Sequence, residues 1–192
     1  MKFKNLTTNF LGKHNYFYKT IDSTQDEIWR RVKKGQINNG TLIMADNQEN
    51  GRGTHGRIWH TDEENNIAFS FFIEPNCNIK KLDGLTTDIA EIILCILKEK
   101  YKIKLEIKEP NDIVYQGKKI GGILTETKLV SEQVKYLVIG IGINTSKTKF
   151  TEDIKDIATS IKKEFEVEIQ AQEFISEFCN RFENYILERI KK

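Results

Sequence analysis

The stretch from residue 105 to residue 144 constrains the fold more than any other part of the chain, because its apolar segments are separated only by short turns. These segments are rich in Ile, Val, Leu, Tyr and Thr, most of which favour strands. Gln116-Gly117 and residues 131–133 are connections of hairpin length, and strands joined in this way run antiparallel. We therefore expect neighbouring strands at 105–108, 113–115, 119–128 and 134–144.

Helical patterns stand before and after these predicted strands. Ser23 has the character of an N-cap, with Asp26 three residues on, and Gly35 ends the helix that follows. A second helix is expected to run to about Tyr101, and a last helix has an apolar side formed by Phe174, Phe178, Phe182, Tyr185 and Ile186. Further strands are expected at 16–20, 41–45 and 66–73. The chain is thus predicted to be α+β, with a mixed, largely antiparallel sheet and helices packed on one face.

Length and charge exclude several broad classes of protein. The 192 residues suit one domain, and 30 basic against 28 acidic side chains give a net charge of +2. So small an excess provides no basic field for a dedicated nucleic-acid binder. No apolar run is long enough for a membrane span or a signal peptide, so we expect a cytoplasmic protein that binds neither nucleic acid nor membrane. Cys77, Cys95 and Cys179 lack metal-ligand spacing, and Cys95 and Cys179 are predicted to be core thiols.

A glycine-rich loop at residues 46–59 is the strongest candidate for binding chemistry. Glycines such as Gly51 and Gly53 allow backbone N–H groups to approach an anion closely. Arg52 and Arg57 add positive charge where a phosphate or carboxylate would be held. The same composition is typical of a mobile surface turn, so the loop by itself leaves both interpretations open.

Two further polar segments lie at the ends of predicted elements, where ligand-binding groups usually lie. Residues 23–25, Ser-Thr-Gln, place two hydroxyls and an amide at a helix start. That arrangement suits a neutral polar ligand or an anion, and it equally suits plain helix capping. Lys108, Asn111 and Asp112 belong to a charged turn between two strands, which is either part of a site or an ordinary turn.

Glycines also interrupt two of the apolar strands. Lys119 stands just ahead of Gly121 and Gly122, and Gly140 and Gly142 alternate in the last strand. Alternating glycines leave one face of a sheet without side chains, because successive residues of a strand point to opposite faces. Such a bare face indicates either a ligand pressed against the backbone or tight packing by the protein itself.

Taken in order along the chain, these segments resemble the motif series of biotin protein ligases. The matching residues are Ser23-Thr24-Gln25, Gly51-Arg52-Gly53 with Gly56-Arg57 and Trp59, Lys108 with Pro110-Asn111-Asp112, Lys119-Ile120-Gly121-Gly122-Ile123-Leu124 with Glu126, and Gly140-Ile141-Gly142-Ile143-Asn144. The resemblance covers roughly residues 15 to 190. Five short motifs in the same order are far more specific than any one of them.

The resemblance implies an enzyme that works in two steps. Biotin's carboxylate attacks the α-phosphate of ATP, with Mg²⁺ present, and forms biotinyl-5′-adenylate and pyrophosphate. A lysine amine of a biotin carboxyl carrier protein, or of the biotin-carrier domain of a carboxylase, then attacks the mixed anhydride and releases AMP. The first step joins two anions that repel each other by about 4 kcal/mol at about 4 Å and an effective dielectric near 20, so fixed cations are needed.

The resemblance also implies a role for each matching residue. Arg52 and Lys119 are the implied catalytic residues. The implied biotin site consists of Ser23, Thr24, Gln25, Gln48, Gly51, Arg52, Gly53, Thr54, Lys119, Gly121 and Gly122. The implied nucleotide site consists of Arg57, Trp59, Lys108, Asn111, Asp112 and Asn144. Asp112 is the implied ligand of Mg²⁺ or of its waters.

The chain departs from the family's pattern at three places. The family's loop commonly reads G-R-G-R with further basic residues, whereas Thr54 and His55 follow Gly53 here, and the missing arginine charge leads us to expect weaker retention of the adenylate. Glu109 stands where the family has a tryptophan. The chain also ends before the family's small C-terminal β-barrel, and its motifs begin too early for a preceding winged-helix domain. Residues 1–192 are therefore expected to form a single catalytic domain.

Two other functions remain open from the sequence. A lipoate or octanoate protein ligase or transferase would share the fold and acylate the same kind of lysine, although the arginine-rich glycine motif and histidine–aspartate pair of that group are not seen here. A regulatory protein that binds biotin or a nucleotide without catalysis would also fit the motifs. The resemblance leaves open whether the protein forms a homodimer.

Overall fold

The computed structural model describes residues 3–61 and 66–191, which form eight strands and four α-helices. The strands are β1 (Asn15–Ile21), β2 (Leu42–Gln48), β3 (Ile67–Ile73), β4 (Cys77–Asn78), β5 (Glu106–Lys108), β6 (Asp112–Tyr115), β7 (Lys118–Val130) and β8 (Gln133–Ile143). The helices are α1 (Thr24–Lys33), α2 (Leu85–Tyr101), α3 (Ile161–Phe165) and α4 (Ala171–Lys191). The predicted elements are confirmed with small shifts at their ends, while β4 and α3 have no predicted counterpart.

All eight strands belong to one sheet, in the order β1-β2-β3-β8-β7-β6-β5, with β4 paired to β8. β1 and β2 run parallel, and the other pairs are antiparallel. Gln116 and Gly117 make the turn between β6 and β7, with φ values of 48° and 78°. Positive φ at both central residues is what the common two-residue hairpin turn requires. The mixed, largely antiparallel sheet predicted from the sequence is therefore confirmed.

α2 and α4 pack on one face of the sheet and enclose the main core. Phe69 and Phe71 of β3 contact Phe178 and Phe182 of α4, and all four side chains are almost completely buried. The rings of Phe71 and Phe182 lie 5.2 Å apart, edge to face. Burial of each such side chain stabilises the fold by about 1.5–3 kcal/mol, so this aromatic cluster fixes α4 on the sheet.

α1 packs on the opposite face, in a second and smaller core formed by Ile28 with Ile43, Phe72 and Val138. Leu42 belongs to the main core and the next residue, Ile43, to the second, because successive strand residues point to opposite faces. The expectation of helices on one face thus holds for α2 and α4 but not for α1. The parallel pairing of β1 and β2 requires a crossover, and α1 makes it over the face that α2 and α4 leave open.

The cysteines only partly follow the sequence-based expectation. Cys77 and Cys179 are buried, whereas Cys95 is exposed, so the prediction of a core thiol is wrong for Cys95. Cys95 follows the buried Ile93 by two residues, which places it about 200° around α2 from the core side. Separately, none of the helices in residues 3–61 and 66–191 is long and apolar enough to span a bilayer.

Glu183 of α4 anchors the segment that precedes β1. Its carboxylate accepts hydrogen bonds from the backbone N–H groups of Asn9, Phe10 and Leu11 at 2.5, 3.0 and 2.9 Å, and from the Asn9 side chain at 3.1 Å. Glu183 is only 2% exposed. Burial by itself raises the pKa of a carboxyl group, but these four donors outweigh it and lower the pKa of Glu183 below the ordinary 4.5. A single ionised side chain thus holds three consecutive backbone amides.

Candidate active site

Three parts of the chain converge on the α1 face of the sheet and enclose a cavity. They are the start of α1, the glycine-rich segment 51–59, and the glycine-containing parts of β7 and β8, and Gln48 at the end of β2 and Asn111 just before β6 add to the lining. The lining of this first cavity includes Ser23, Thr24, Gln25, Gln48, Arg52, Gly53, Thr54, Trp59, Asn111, Lys119 and Gly122. Nine of the eleven predicted biotin residues therefore line one cavity, although they come from four separate segments of the sequence.

The start of α1 supplies a buried network of hydroxyl and amide groups. The Ser23 hydroxyl caps the helix by accepting from the backbone N–H of Asp26 at 3.3 Å. The Thr24 backbone N–H and hydroxyl donate to Gln48 Oε1 at 2.8 and 3.0 Å, and the Thr24 hydroxyl also lies 2.8 Å from the Ser70 hydroxyl. Ser70 is absent from the predicted site residues. It is the one hydroxyl in the otherwise apolar strand β3, and that is the signal by which the sequence marks it.

A carboxylate of β7, Glu126, ties the helix start to the glycine-rich segment. Glu126 accepts from Gln25 Nε2 at 3.0 Å, from Trp29 Nε1 at 2.8 Å and from Arg52 Nη2 at 2.6 Å. Arg52 also donates to Asp26 Oδ1 at 2.8 Å. Burial alone raises the pKa of Glu126, but these donors lower it overall, so the group is ionised at neutral pH. The motif series includes Glu126, but its role as a partner of Gln25, Trp29 and Arg52 was not predicted.

Residues 51–59 form a small two-stranded hairpin. The backbone N–H of Trp59 donates to the Gly51 carbonyl at 2.8 Å, and the backbone N–H of Gly53 donates to the Arg57 carbonyl at 2.7 Å. A Cβ at Gly51 would lie 2.3 Å from the Trp59 carbonyl oxygen, so glycine is required there for the two strands to approach. Gly51 therefore shapes the hairpin and is not among the residues that line the cavity. The Arg57 guanidinium donates to the Thr54 hydroxyl at 2.8 Å, inside the same hairpin.

The indole of Trp59 lies on the bare face that the alternating glycines leave in β7 and β8. A Cβ added at Gly142 would lie 2.3 Å from Trp59 Cε2, and one added at Gly122 would lie 3.3 Å from Trp59 Cζ3. A Cβ at Gly140 would lie 2.7 Å from Gln25 Oε1. With Trp59 in this position the first cavity retains a volume of about 40 Å³, well below the roughly 300–1,000 Å³ of ligand pockets. A ligand that lies along the glycines must displace this indole.

Gly121 and Lys108 do not line this cavity. A Cβ at Gly121 would lie 3.4 Å from Ile113 Cβ, on the side of the sheet that faces the main core. Because Gly122 faces the cavity, its neighbour in the strand must face away from it. Lys108 is exposed at the end of the edge strand β5 and lines neither this cavity nor the second one described below. The roles predicted for these two residues are thus not supported by their positions.

Lys119 forms an ion pair with Asp112, at 2.6 Å between Nζ and Oδ1. Its ammonium group also lies 5.7 Å from the centre of the Trp59 ring. The backbone of Lys119 pairs with residues 157–159, because its N–H donates to the Ile157 carbonyl at 2.8 Å and its carbonyl accepts from the Thr159 N–H at 2.9 Å. Lys119 is thereby fixed at the place where two cavities meet.

The second cavity has a volume of about 380 Å³ and lies on the other side of Trp59 and Lys119. Phe150, Ile154 and Ile157 form its apolar wall, and its polar lining includes Arg57, His60, Asn144 and Lys147. The apolar wall is absent from the predicted site. Phe150, Ile154 and Ile157 recur at intervals of four and three residues, and this helical spacing is the signal that the sequence offers. Apolar and cationic groups together suit a ligand with an aromatic base and phosphates.

Asn111 and Asn144 are held in place by backbone groups. Asn111 Nδ2 donates to the Ile123 carbonyl at 3.3 Å, and Asn144 Nδ2 donates to the Thr159 carbonyl at 3.1 Å. Both side chains are buried. Asn111 lines the first cavity and Asn144 lines the second, so these two predicted nucleotide residues lie in different cavities.

Comparison with known proteins identifies the family. The sequence model of the biotin/lipoate A/B protein ligase family matches residues 17–144, which include every motif segment of the site. The chain belongs to this family. The biotin protein ligase of Aquifex aeolicus, solved in complex with biotin and ATP, has a similar structure, with a TM-score of 0.73 and 32% sequence identity. That similarity covers 94% of this chain and 71% of the Aquifex chain.

Other members of the family are also similar to most of this chain, in sequence or in fold. The bifunctional ligase/repressor BirA of Bacillus subtilis is 36% identical over 160 residues, which are 82% of this chain and 49% of BirA. The Escherichia coli BirA is 30% identical over 134 residues, 70% of this chain and 41% of that protein. The biotin protein ligase of Leishmania major in complex with biotinyl-5-AMP shares the fold, with a TM-score of 0.71 and 24% identity over 92% of this chain and 76% of that one. The chain spans about half the length of the curated relatives it matches.

Proposed function

We propose that this protein is an ATP-dependent biotin–protein ligase, which activates biotin as biotinyl-5′-AMP and transfers it to a lysine of a biotin carboxyl carrier protein or carrier domain. One observation carries the proposal. A cavity lined by hydroxyl and amide groups and a cavity lined by apolar and cationic groups meet at Lys119. A reaction between biotin's carboxylate and an α-phosphate needs a cation at such a junction.

In this proposal biotin occupies the first cavity. Its ring has N–H donors and a carbonyl acceptor, and these meet the buried groups of Thr24, Gln25 and Gln48. Leaving such groups unpaired in a buried site costs about 1–3 kcal/mol each. The acyl tail lies along the glycines of β7 and β8 after the Trp59 indole has moved aside, and the carboxylate reaches Lys119.

ATP occupies the second cavity, with its base against Phe150, Ile154 and Ile157 and its phosphates toward Arg57 and Lys119. A carboxylate oxygen attacks the α-phosphorus, and the bond to the bridging oxygen breaks as pyrophosphate leaves. Among the described residues no group of three or more possible metal ligands occurs. Asp112 lines neither cavity but pairs with Lys119 where the two cavities meet. Mg²⁺ would be held there by Asp112 and by phosphate oxygens, in keeping with its preference for one or two carboxylates, and it would neutralise charge on the leaving pyrophosphate.

Transfer follows when the carrier's lysine amine attacks the carbonyl carbon of the mixed anhydride. The bond from that carbon to the phosphate oxygen breaks, AMP leaves and the amine loses a proton. The carrier partner, a homodimer and a cytoplasmic location stay predictions from the sequence and from the resemblance.

The contacts favour biotin over a saturated acyl group such as lipoate or octanoate. Neither a hydrocarbon chain end nor a dithiolane ring carries an N–H group, so either would leave the buried Gln25 Oε1 without a donor. They also favour an enzyme over a purely regulatory biotin-binding protein. A regulator that binds only biotin would need no second cavity that opens onto the same lysine.

The proposal predicts exchange of labelled pyrophosphate into ATP that depends on both biotin and Mg²⁺. We expect no exchange above background with lipoate or octanoate, because neither acid satisfies the polar end of the first cavity. Mass spectrometry of an added biotin-carrier domain would then detect the biotinyl adduct. Exchange supported by lipoate or octanoate and not by biotin would contradict the proposal.

Substitution of Gly142 tests the position of the ligand. The methyl group added in Gly142→Ala would occupy the face on which the acyl tail is proposed to lie once the Trp59 indole has moved aside. Overpacking of this kind costs about 1–3 kcal/mol, so we expect biotin to bind roughly ten- to a hundredfold more weakly. Titration calorimetry would measure the affinity, with circular dichroism as the check on folding.

Gly121→Ala is the matched control, since the added Cβ points toward Ile113 and away from the cavity. It is expected to lower the unfolding temperature and to leave the biotin affinity unchanged. Equal effects of both substitutions on biotin binding would show that the ligand does not lie on the Gly142 face.

A further inference from the structure

Gln25 presents an oxygen atom without a hydrogen-bond partner in the first cavity. The side chain is 3% exposed and lines that cavity. Its Nε2 donates to Glu126 Oε2 at 3.0 Å and to the Val138 carbonyl at 3.4 Å. Its Oε1 is buried and has no partner within residues 3–61 and 66–191. A buried carbonyl oxygen of this kind is costly unless a ligand supplies a donor.

Glu126, together with the more distant Val138 carbonyl, determines which end of the Gln25 amide faces the cavity. An ionised carboxylate can only accept hydrogen bonds, so it must meet the NH₂ end of the amide. The ionised state of Glu126 is supported by Arg52, whose two Nη atoms lie 2.6 and 3.2 Å from the carboxylate, and by Trp29 Nε1 at 2.8 Å. With NH₂ turned to Glu126, the Gln25 carbonyl oxygen is directed away from it, against Gly140.

We propose that Glu126 is a positioning residue for ligand selection: it holds the Gln25 carbonyl oxygen in the cavity, where that oxygen accepts a hydrogen bond from a ring N–H of biotin. The inference rests on the proposed function, because it presumes that biotin occupies the first cavity. Glu126 itself does not touch the ring. It selects for a ligand N–H through Gln25, and the same carboxylate holds Arg52 of the hairpin over the cavity.

The nearest acidic residues do not share this role. Glu27, also on α1, accepts from Tyr18, Arg30 and Arg31 and is not among the residues that line the cavity. Asp26 contacts Arg52 and makes no hydrogen bond to Gln25. The structure thus assigns orientation of the Gln25 amide to Glu126 alone among the described acidic residues.

The test compares biotin with its two cyclic carbamate analogues, in each of which one ring N–H is replaced by oxygen. Titration calorimetry gives the dissociation constant of each ligand for the wild-type protein and for Glu126→Gln. For the carbamate that lacks the N–H facing Gln25, wild type is expected to bind roughly ten- to a hundredfold more weakly than biotin, since two acceptor oxygens then oppose each other. In Glu126→Gln the amide at 126 can donate, the Gln25 amide can turn over, and the preference is expected to fall to a few-fold.

The double variant Gln25→Glu with Glu126→Gln provides a rescue. It retains the net charge, and a carboxylate at 25 offers an acceptor oxygen to the cavity while its other oxygen accepts from the new amide. The preference for the ring N–H is expected to return toward the wild-type value. Glu27→Gln serves as the control, because Glu27 contacts neither Gln25 nor the cavity, and it is expected to keep the wild-type preference.

Each outcome separates the inference from the proposed function. If wild type does not bind biotin, the proposed function fails. If wild type binds biotin but neither carbamate is discriminated, Gln25 does not accept from the ring and the inference is overturned. If Glu126→Gln binds every ligand more weakly with an unchanged ratio, Glu126 serves only the packing of the hairpin, which also overturns the inference while biotin–protein ligation stands.

Discussion

Replacement of Lys119 by alanine is expected to lower the rate of biotin-dependent ATP–pyrophosphate exchange by about 10²–10³-fold, the usual effect of removing a preorganised group that stabilises developing charge. The reason lies in the position of Lys119 between the two cavities and in its ion pair. Lys119 lines both cavities, and its ammonium group forms an ion pair with Asp112 at 2.6 Å. Without it, the biotin carboxylate and the α-phosphate would repel each other with no lysine ammonium group at the junction of the two cavities.

Lys118→Ala is the matched control for this experiment. Lys118 precedes Lys119 in β7, and its side chain points to the other face of the sheet and lines neither cavity. We expect it to retain the wild-type exchange rate. Measurement at saturating biotin and ATP separates a loss in kcat from a loss in KM. A Lys119→Ala protein with the wild-type rate would exclude this residue from the chemistry.

Replacement of Glu183 by alanine is expected to lower the free energy of unfolding by about 3 kcal/mol, because three backbone N–H groups would lose the carboxylate that they share in a buried position. That loss corresponds to more than a hundredfold change in the unfolding equilibrium. Urea unfolding at neutral pH would measure it. Glu188→Ala, an exposed glutamate on the same helix, is the control and is expected to change stability by less than about 0.5 kcal/mol.

The contribution of Glu183 also depends on pH, and its sign follows from the direction of its shift. The pKa of Glu183 in the folded protein is lowered below 4.5, its ordinary value. Its stabilisation is therefore fully present above about pH 4.5 and is lost as the pH falls through the lower folded-state value. The stability difference between wild type and Glu183→Gln should shrink on acidification. A difference that stays constant between pH 7 and pH 3 would contradict this account.

Local patterns in the sequence were sufficient to predict the helices and strands and most of the residues that line the first cavity. The cap at Ser23 and the hairpin turn at Gln116 and Gly117 are confirmed. Each depends on residues within a few positions of one another, since capping and turn geometry are short-range effects. The motif series likewise brought together most of the residues that line the first cavity, because the resemblance is carried by residue type and order.

Pairing across the sheet could not be predicted in the same way. Successive residues of a strand point to opposite faces of the sheet, so only one of Gly121 and Gly122 can face the cavity. The register of β7 against β8 decides which of the two does. The position of Trp59 on Gly142 depends on the same register and on the closed hairpin. The pattern of residues that identifies a strand does not indicate which other strand it pairs with or in which register.

What the sequence by itself determined is therefore the α+β class, nearly all of the elements, and most of the residue types that line the first cavity. Only the tertiary structure decided the partners: Lys119 with Asp112, and Glu126 with Gln25 and Arg52. Glu126 is 101 positions from Gln25 and 74 positions from Arg52 in the sequence. Their contact depends on how α1, the hairpin and β7 pack together, and packing of elements distant in the chain is set by the whole core rather than by any local pattern.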